Sequence, residues 1–162
     1  MQDPRSVERL RHGDVATLKR LFKANYAKLY PMAFRLTQDR EAAGSVIRAA
    51  FKGLWADRAE LDVFEPLDMK LVERTYAEAV AYRTENGVTG FTASGLRTDQ
   101  SVPVPEIEEI ADEDRLKYLL FVVDGYSFRE LARAFGSSIE DVQVSVGRAL
   151  TMLKEAPEVG LI

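Results

Sequence analysis

Between residues 40 and 56, apolar side chains recur at Ala43, Val46, Ile47, Ala50, Phe51 and Leu54, a spacing that keeps one face of an α-helix apolar for three turns. Trp55 stands at the end of this helix, which is the clearest amphipathic pattern in the chain. The same period predicts a longer helix before it. Asp14 caps that helix, which runs to about Leu36 with Leu18, Leu21, Phe22, Leu29, Ala33 and Leu36 inward and Pro31 as a kink point. A short first helix opens at Asp3-Pro4 and closes at His12-Gly13, because proline suits a first helical position and glycine the position past the end. Pro66 opens a fourth helix that turns Leu67, Leu71, Val72, Thr75, Ala79 and Val80 inward and ends by Asn86-Gly87.

Residues 85–105, ENGVTGFTASGLRTDQSVPVP, hold neither period and read as a linker. A structureless stretch of that length fits better between two domains than inside one. The expected organisation is therefore a four-helix module over residues 1–84, the linker over 85–105, and a smaller helical module over 106–162. The second module begins with an acidic approach, Glu106, Glu108, Glu109, Asp112, Glu113 and Asp114, and a helix from Arg115 to Asp124 with Leu116, Leu119, Leu120 and Val123 inward. Gly125 stops that helix.

Residues 126–155, YSFRELARAFGSSIEDVQVSVGRALTMLKE, then read as a helix-turn-helix. Ser127 and Glu130 form a capping box, Gly136 ends the first helix, and Ser138 caps the second. On the second helix the expected buried stripe is Ile139, Val142, Val146, Ala149, Leu150 and Leu153. Glu140, Asp141, Gln143, Ser145, Gly147, Arg148 and Thr151 are left for the outer face.

Composition narrows the chemistry. The chain has 162 residues, 46% of them hydrophobic, enough for a real core. It has no cysteine and one histidine, which excludes disulfides and thiolate chemistry and leaves no histidine-based zinc site or triad. Carboxylate neighbours such as Glu140-Asp141 and Glu108-Glu109 diverge around a helix, so no enzyme, metal or cofactor is expected. With no apolar run of membrane-spanning length and no apolar signal core, a cytoplasmic protein without membrane contact is expected. The net charge of -4 hides an asymmetry: residues 1–84 carry an excess of three bases, and residues 85–162 an excess of seven acids. The early bases, Arg5 to Arg35, make either a solvated face or a patch for an acidic partner.

The order and anchors of these elements resemble one family. Gly13-Asp14, Leu21-Phe22, Leu29-Tyr30, Phe51, Leu54-Trp55, Gly125-Tyr126-Ser127, Glu130-Leu131-Ala132 and Gly136 stand where bacterial extracytoplasmic-function (ECF) sigma factors of the sigma-70 superfamily have structural residues. The resemblance covers about residues 7–84 and 112–155. It implies an all-α fold of two modules, one like sigma region 2, which melts the promoter, and one like sigma region 4, whose helix-turn-helix reads the upstream element. It also implies core RNA polymerase and promoter DNA as partners.

The departures fall on the contact surfaces. Where the family's third helix carries acids and amides that grip a coiled coil of the polymerase, this chain has Ala42, Ala43, Gly44, Ser45, Val46, Ile47, Arg48 and Ala49. Where its fourth helix offers aromatics and bases to the melted strand, Lys70, Arg74, Tyr76, Tyr82 and Arg83 are interrupted by Asp68, Glu73 and Glu78. Its recognition helix is rich in bases; the matching positions here are Gln143, Ser145, Gly147, Arg148 and Leu150. The expected function is an atypical ECF-like transcription regulator with weakened contacts to polymerase and promoter. The alternative is a sigma mimic that binds an anti-sigma factor or another regulatory protein without DNA. The expected DNA-binding residues are Gln143, Ser145, Arg148, Lys70, Arg74 and Arg83; the expected protein-binding residues are Val46, Ile47, Arg48 and Lys52. Independent DNA binding should be weak or absent.

Overall fold

The computed structural model describes residues 5–92 and 112–154, and these are all-helical, with no strand among them. Seven α-helices follow in order: α1 Arg5–Arg11, α2 Val15–Thr37, α3 Arg40–Ala56, α4 Leu67–Asn86, α5 Asp112–Tyr118, α6 Phe128–Phe135 and α7 Ile139–Lys154. Backbone contacts group the chain into two units, Met1–Val88 and Thr89–Ile162. Most of the expected linker and its acidic continuation, residues 93–111, lie outside the described residues. No helix among the described residues is long and apolar enough to cross a membrane.

In the first unit α2, α3 and α4 pack on one another, and α1 rests on α2 and on a 3₁₀ turn at Arg58–Glu60. Local chemistry sets the helix ends. Asp14 accepts the Ala16 N–H at 3.0 Å and the Thr17 hydroxyl at 2.9 Å, which fixes the start of α2. These bonds, the Thr17 hydroxyl foremost, hold the Asp14 carboxyl below its usual pKa. Asp39 caps α3 by accepting the Ala42 N–H at 2.9 Å, and Gly87, in the left-handed region at φ 63°, ends α4. α2 continues through Pro31 and ends at Gln38, a non-glycine residue at φ 58°.

The core of this unit is Leu29, Met32, Ala33 and Leu36 of α2, Ala43, Val46, Ile47, Ala50, Phe51 and Leu54 of α3, and Leu67, Leu71, Val72 and Ala79 of α4. The α3 stripe is as its spacing predicts. Two expectations differ. Val80 is exposed, and Leu18, Leu21 and Phe22 in the first half of α2 are only half-buried. Leu18 and Phe22 are half-buried because they border an open cleft against α3.

In the second unit α7 packs on α5 and α6. The helix expected over Arg115–Asp124 instead begins at Asp112, is α-helical to Tyr118, and widens into a π-helical turn over Leu119–Val123. The Asp124 N–H there reaches back five residues to the Leu119 carbonyl at 3.0 Å. The wider turn buries Leu119, Leu120 and Val123 while Phe121 stacks on Phe128, ring centroids 4.1 Å apart.

The helix-turn-helix caps form as the sequence predicts. Ser127 accepts the Glu130 N–H at 3.1 Å and the Glu130 carboxylate accepts the Ser127 N–H at 2.8 Å; Ser138 accepts the Asp141 N–H at 3.0 Å. Gly136, at φ 63°, makes the turn between them. Ser127→Ala should destabilise this unit by about 1 kcal/mol, the usual cost of losing an N-cap, measurable as a lower denaturation midpoint.

α7 buries the expected stripe in part: Val142, Val146 and Ala149 are inside as predicted. Ile139 and Leu150, also expected inside, are exposed, as is Val144. Ser145, expected on the outer face, is 1% exposed. A buried hydrogen bond from the Ser145 hydroxyl to the Asp114 carboxylate holds that edge of the helix inward. The Leu153 side chain lies outside the described residues.

Candidate functional site

Asp114 on α5 is the centre of a polar cluster. Its carboxylate accepts the Arg148 Nε at 2.8 Å on one oxygen and the Arg148 Nη2 at 3.1 Å on the other, and the Ser145 hydroxyl donates to the second oxygen as well. The bond to Arg148, helped by that to Ser145 and opposed by burial, holds the Asp114 carboxyl below its usual pKa. A forked guanidinium engaged by both oxygens of one carboxylate has its planar recognition edge in use. Arg148, the base left on the outer face of α7, is thus bound within its own unit, although its side chain is 61% exposed.

The bases of α4 also have partners within the chain, though none is held by both oxygens of one carboxylate among the described contacts. Lys70 stands 3.9 Å from Glu65 and 3.7 Å from Glu73. Arg74 crosses α3 at Gly53, where a Cβ would come within 2.7 Å of its Nη1, to pair with Asp57 at 2.7 Å. Arg83 donates to the Leu36 carbonyl at 2.8 Å and so ties α4 to the end of α2. Of the six residues expected to contact DNA, Ser145, Arg148, Arg74 and Arg83 hydrogen-bond within the chain, Lys70 makes longer ion pairs, and Gln143 is the exposed one for which no such contact is described.

The four residues expected to meet a protein partner also divide. Val46 and Ile47 are core, 5% and 0% exposed, and are not available to a partner. Arg48 and Lys52 are exposed, and the structure places them on the rim of a cleft of about 270 Å³ with Leu18, Phe22, Phe51 and Trp55. Arg48, Phe51, Lys52 and Trp55 follow one another at i, i+3, i+4 and i+7, so a single face of α3 supplies them. Phe22 meets Phe51 edge-on at 5.1 Å, and the Arg58 guanidinium lies 4.3 Å from the centre of the Trp55 ring.

No family model matches the chain, and no curated protein matches it.

α2 also carries an aromatic ladder that its apolar stripe does not predict. Phe22, Tyr26, Tyr30 and Phe34, each four residues from the last, form a half-buried ladder of rings with centroids 5.2, 6.1 and 5.8 Å apart. Its i, i+4 spacing was visible as aromatic periodicity. The ladder begins at the cleft and runs beside α3, where the Tyr26 hydroxyl approaches Gly44. The arrangement has the parts of a protein-binding surface: rigid aromatics, an apolar cup and charges at its edge.

Proposed function

We propose that the chain is an atypical ECF-like, sigma-type regulator of transcription initiation that works through protein contacts and not through its own hold on DNA. The resemblance of residues 7–84 and 112–155 supplies the sigma-type reading, and the all-helical architecture with its capped helix-turn-helix is consistent with it. The observation that carries the protein-contact emphasis is the Asp114–Arg148–Ser145 cluster, which occupies Arg148, the one base of the α7 outer face among the described side chains. DNA readers take much of their affinity from cations neutralising phosphates. Here α7 brings Glu140 and Asp141 at its N-terminus, and Val144 is exposed on their side of the helix while Ile139 and Leu150 are exposed on its flank, which suits α7 to protein better than to phosphate.

Two partners follow. Core RNA polymerase is the first, since a helix-turn-helix held on a larger assembly works at high effective concentration and needs little affinity of its own. The engagement of Arg148, Lys70, Arg74 and Arg83 within the chain favours a second reading, a sigma mimic that binds an anti-sigma protein or a similar regulator. Size-exclusion chromatography of the purified chain with core polymerase tests the proposal. Co-elution is expected under the first reading. Co-elution with an anti-sigma protein, but not with polymerase, selects the second, and co-elution with neither contradicts both.

A further inference from the structure

We propose that the groove between α2 and α3 receives a helical segment of a partner protein that inserts one large apolar side chain and flanks it with carboxylates. The inference deepens the protein-contact reading and rests on it, naming the chemistry of the segment that binds.

Size argues for a side chain. At about 270 Å³ the cleft stands at the lower end of the ~300–1,000 Å³ of typical small-molecule sites, opens widely to solvent, and is lined by apolar parts of Leu18, Phe22, Phe51 and Trp55. One buried anchor of Leu or Phe size fits such a cup, as in helix-in-groove complexes. Length argues for a helix. The face of α3 from Gly44 to Trp55 extends about 16 Å at ~1.5 Å per residue, and the Phe22–Tyr26 start of the aromatic ladder runs beside it.

Charge selects the flanking groups. Arg48 and Lys52 sit one helical turn apart on the rim with the same sign, and neither makes an ion pair among the described residues. Arg48 bends back over Gly44, whose missing side chain leaves room for its Nη1, and bonds the Ser45 hydroxyl at 3.4 Å. Like charges at this spacing repel, and carboxylates on a partner relieve that repulsion and set its register. A nucleic acid is a poorer match, because strand binding needs a track of cations along the backbone and this site has two at the mouth of an apolar cup.

Trp55 is the chain's one tryptophan, so its emission reports on the cleft itself. The probe is a display library of short amphipathic helices selected on the full chain, with enriched peptides then synthesised and titrated against Trp55 emission. Enriched sequences should carry a Leu, Phe or Met anchor with Asp or Glu within one turn of it, and should shift Trp55 saturably. Replacing the anchor by alanine, or the carboxylates by lysine, should weaken binding by about tenfold or more. Lys52→Glu, at an exposed position, should prefer the lysine-bearing peptide. Failure to enrich peptides, enrichment of neutral or basic ones, an unmoved Trp55, or equal response to a single-stranded oligonucleotide would each overturn the proposal. The two tests fail separately. Loss of polymerase binding leaves the peptide result standing for another protein, and a failed peptide selection beside polymerase co-elution removes the cleft and leaves the proposed function.

Discussion

Phe51→Ala should destabilise the first unit by about 3 to 5 kcal/mol, the range for removing a buried ring. Phe51 is 4% exposed and joins the core stripe of α3 to the cleft through its edge-on contact with Phe22. Chemical denaturation followed by Trp55 emission reads this unit directly. Arg48→Ala and Lys52→Ala, on the exposed rim, should stay within about 0.5 kcal/mol of the parent, as surface changes do. A loss below 1 kcal/mol for Phe51→Ala would mean that the ring is not packed as described.

Asp114→Ala should cost the second unit about 1 to 3 kcal/mol. That is the desolvation penalty of leaving the Ser145 hydroxyl buried without its acceptor. Arg148 adds little to the loss, because its exposed side chain can turn to solvent. The same site predicts a pH effect. The folded carboxyl titrates below its unfolded value of about 3.9, so its contribution is complete above that pH and is lost as pH falls through the lower folded value. Asp114→Ala should therefore lose less stability than the parent on acidification below about pH 4, read by far-ultraviolet circular dichroism at stepped pH. Equal acid slopes in the two proteins would contradict the depressed pKa.

The parts of the fold legible in the sequence were those decided within a few residues. The Ser127–Glu130 box, the Ser138 and Asp14 caps, the stop at Gly136 and the apolar stripe of α3 depend on local hydrogen bonds and helical spacing, and the structure has each of them. The orientation of α7 depends on a partner 31 and 34 residues away in sequence, Asp114, so periodicity alone placed Ser145 outside and Ile139 and Leu150 inside. The π-helical turn at Leu119–Val123 has no local signal in a continuous apolar run. Within the candidate site Arg48 and Lys52 were legible as the polar edge of an amphipathic helix. Val46 and Ile47 were not separable from it by composition, since an apolar residue next to that edge serves equally as core or as contact. The engagement of Lys70, Arg74 and Arg83 was hidden because side-chain partners on other elements decide whether a base is free.

Whether the chain's contacts are made with protein or with DNA is measured most directly by a titration of labelled duplex DNA with the full chain at several salt concentrations. Weak binding, no tighter than the ~10⁻⁶ M reached by non-specific association at physiological salt, and unchanged by Arg148→Ala, is the predicted result. Binding near 10⁻⁸ M that is lost on Arg148→Ala would show that Asp114 yields its arginine to DNA, and would contradict a function through protein contacts.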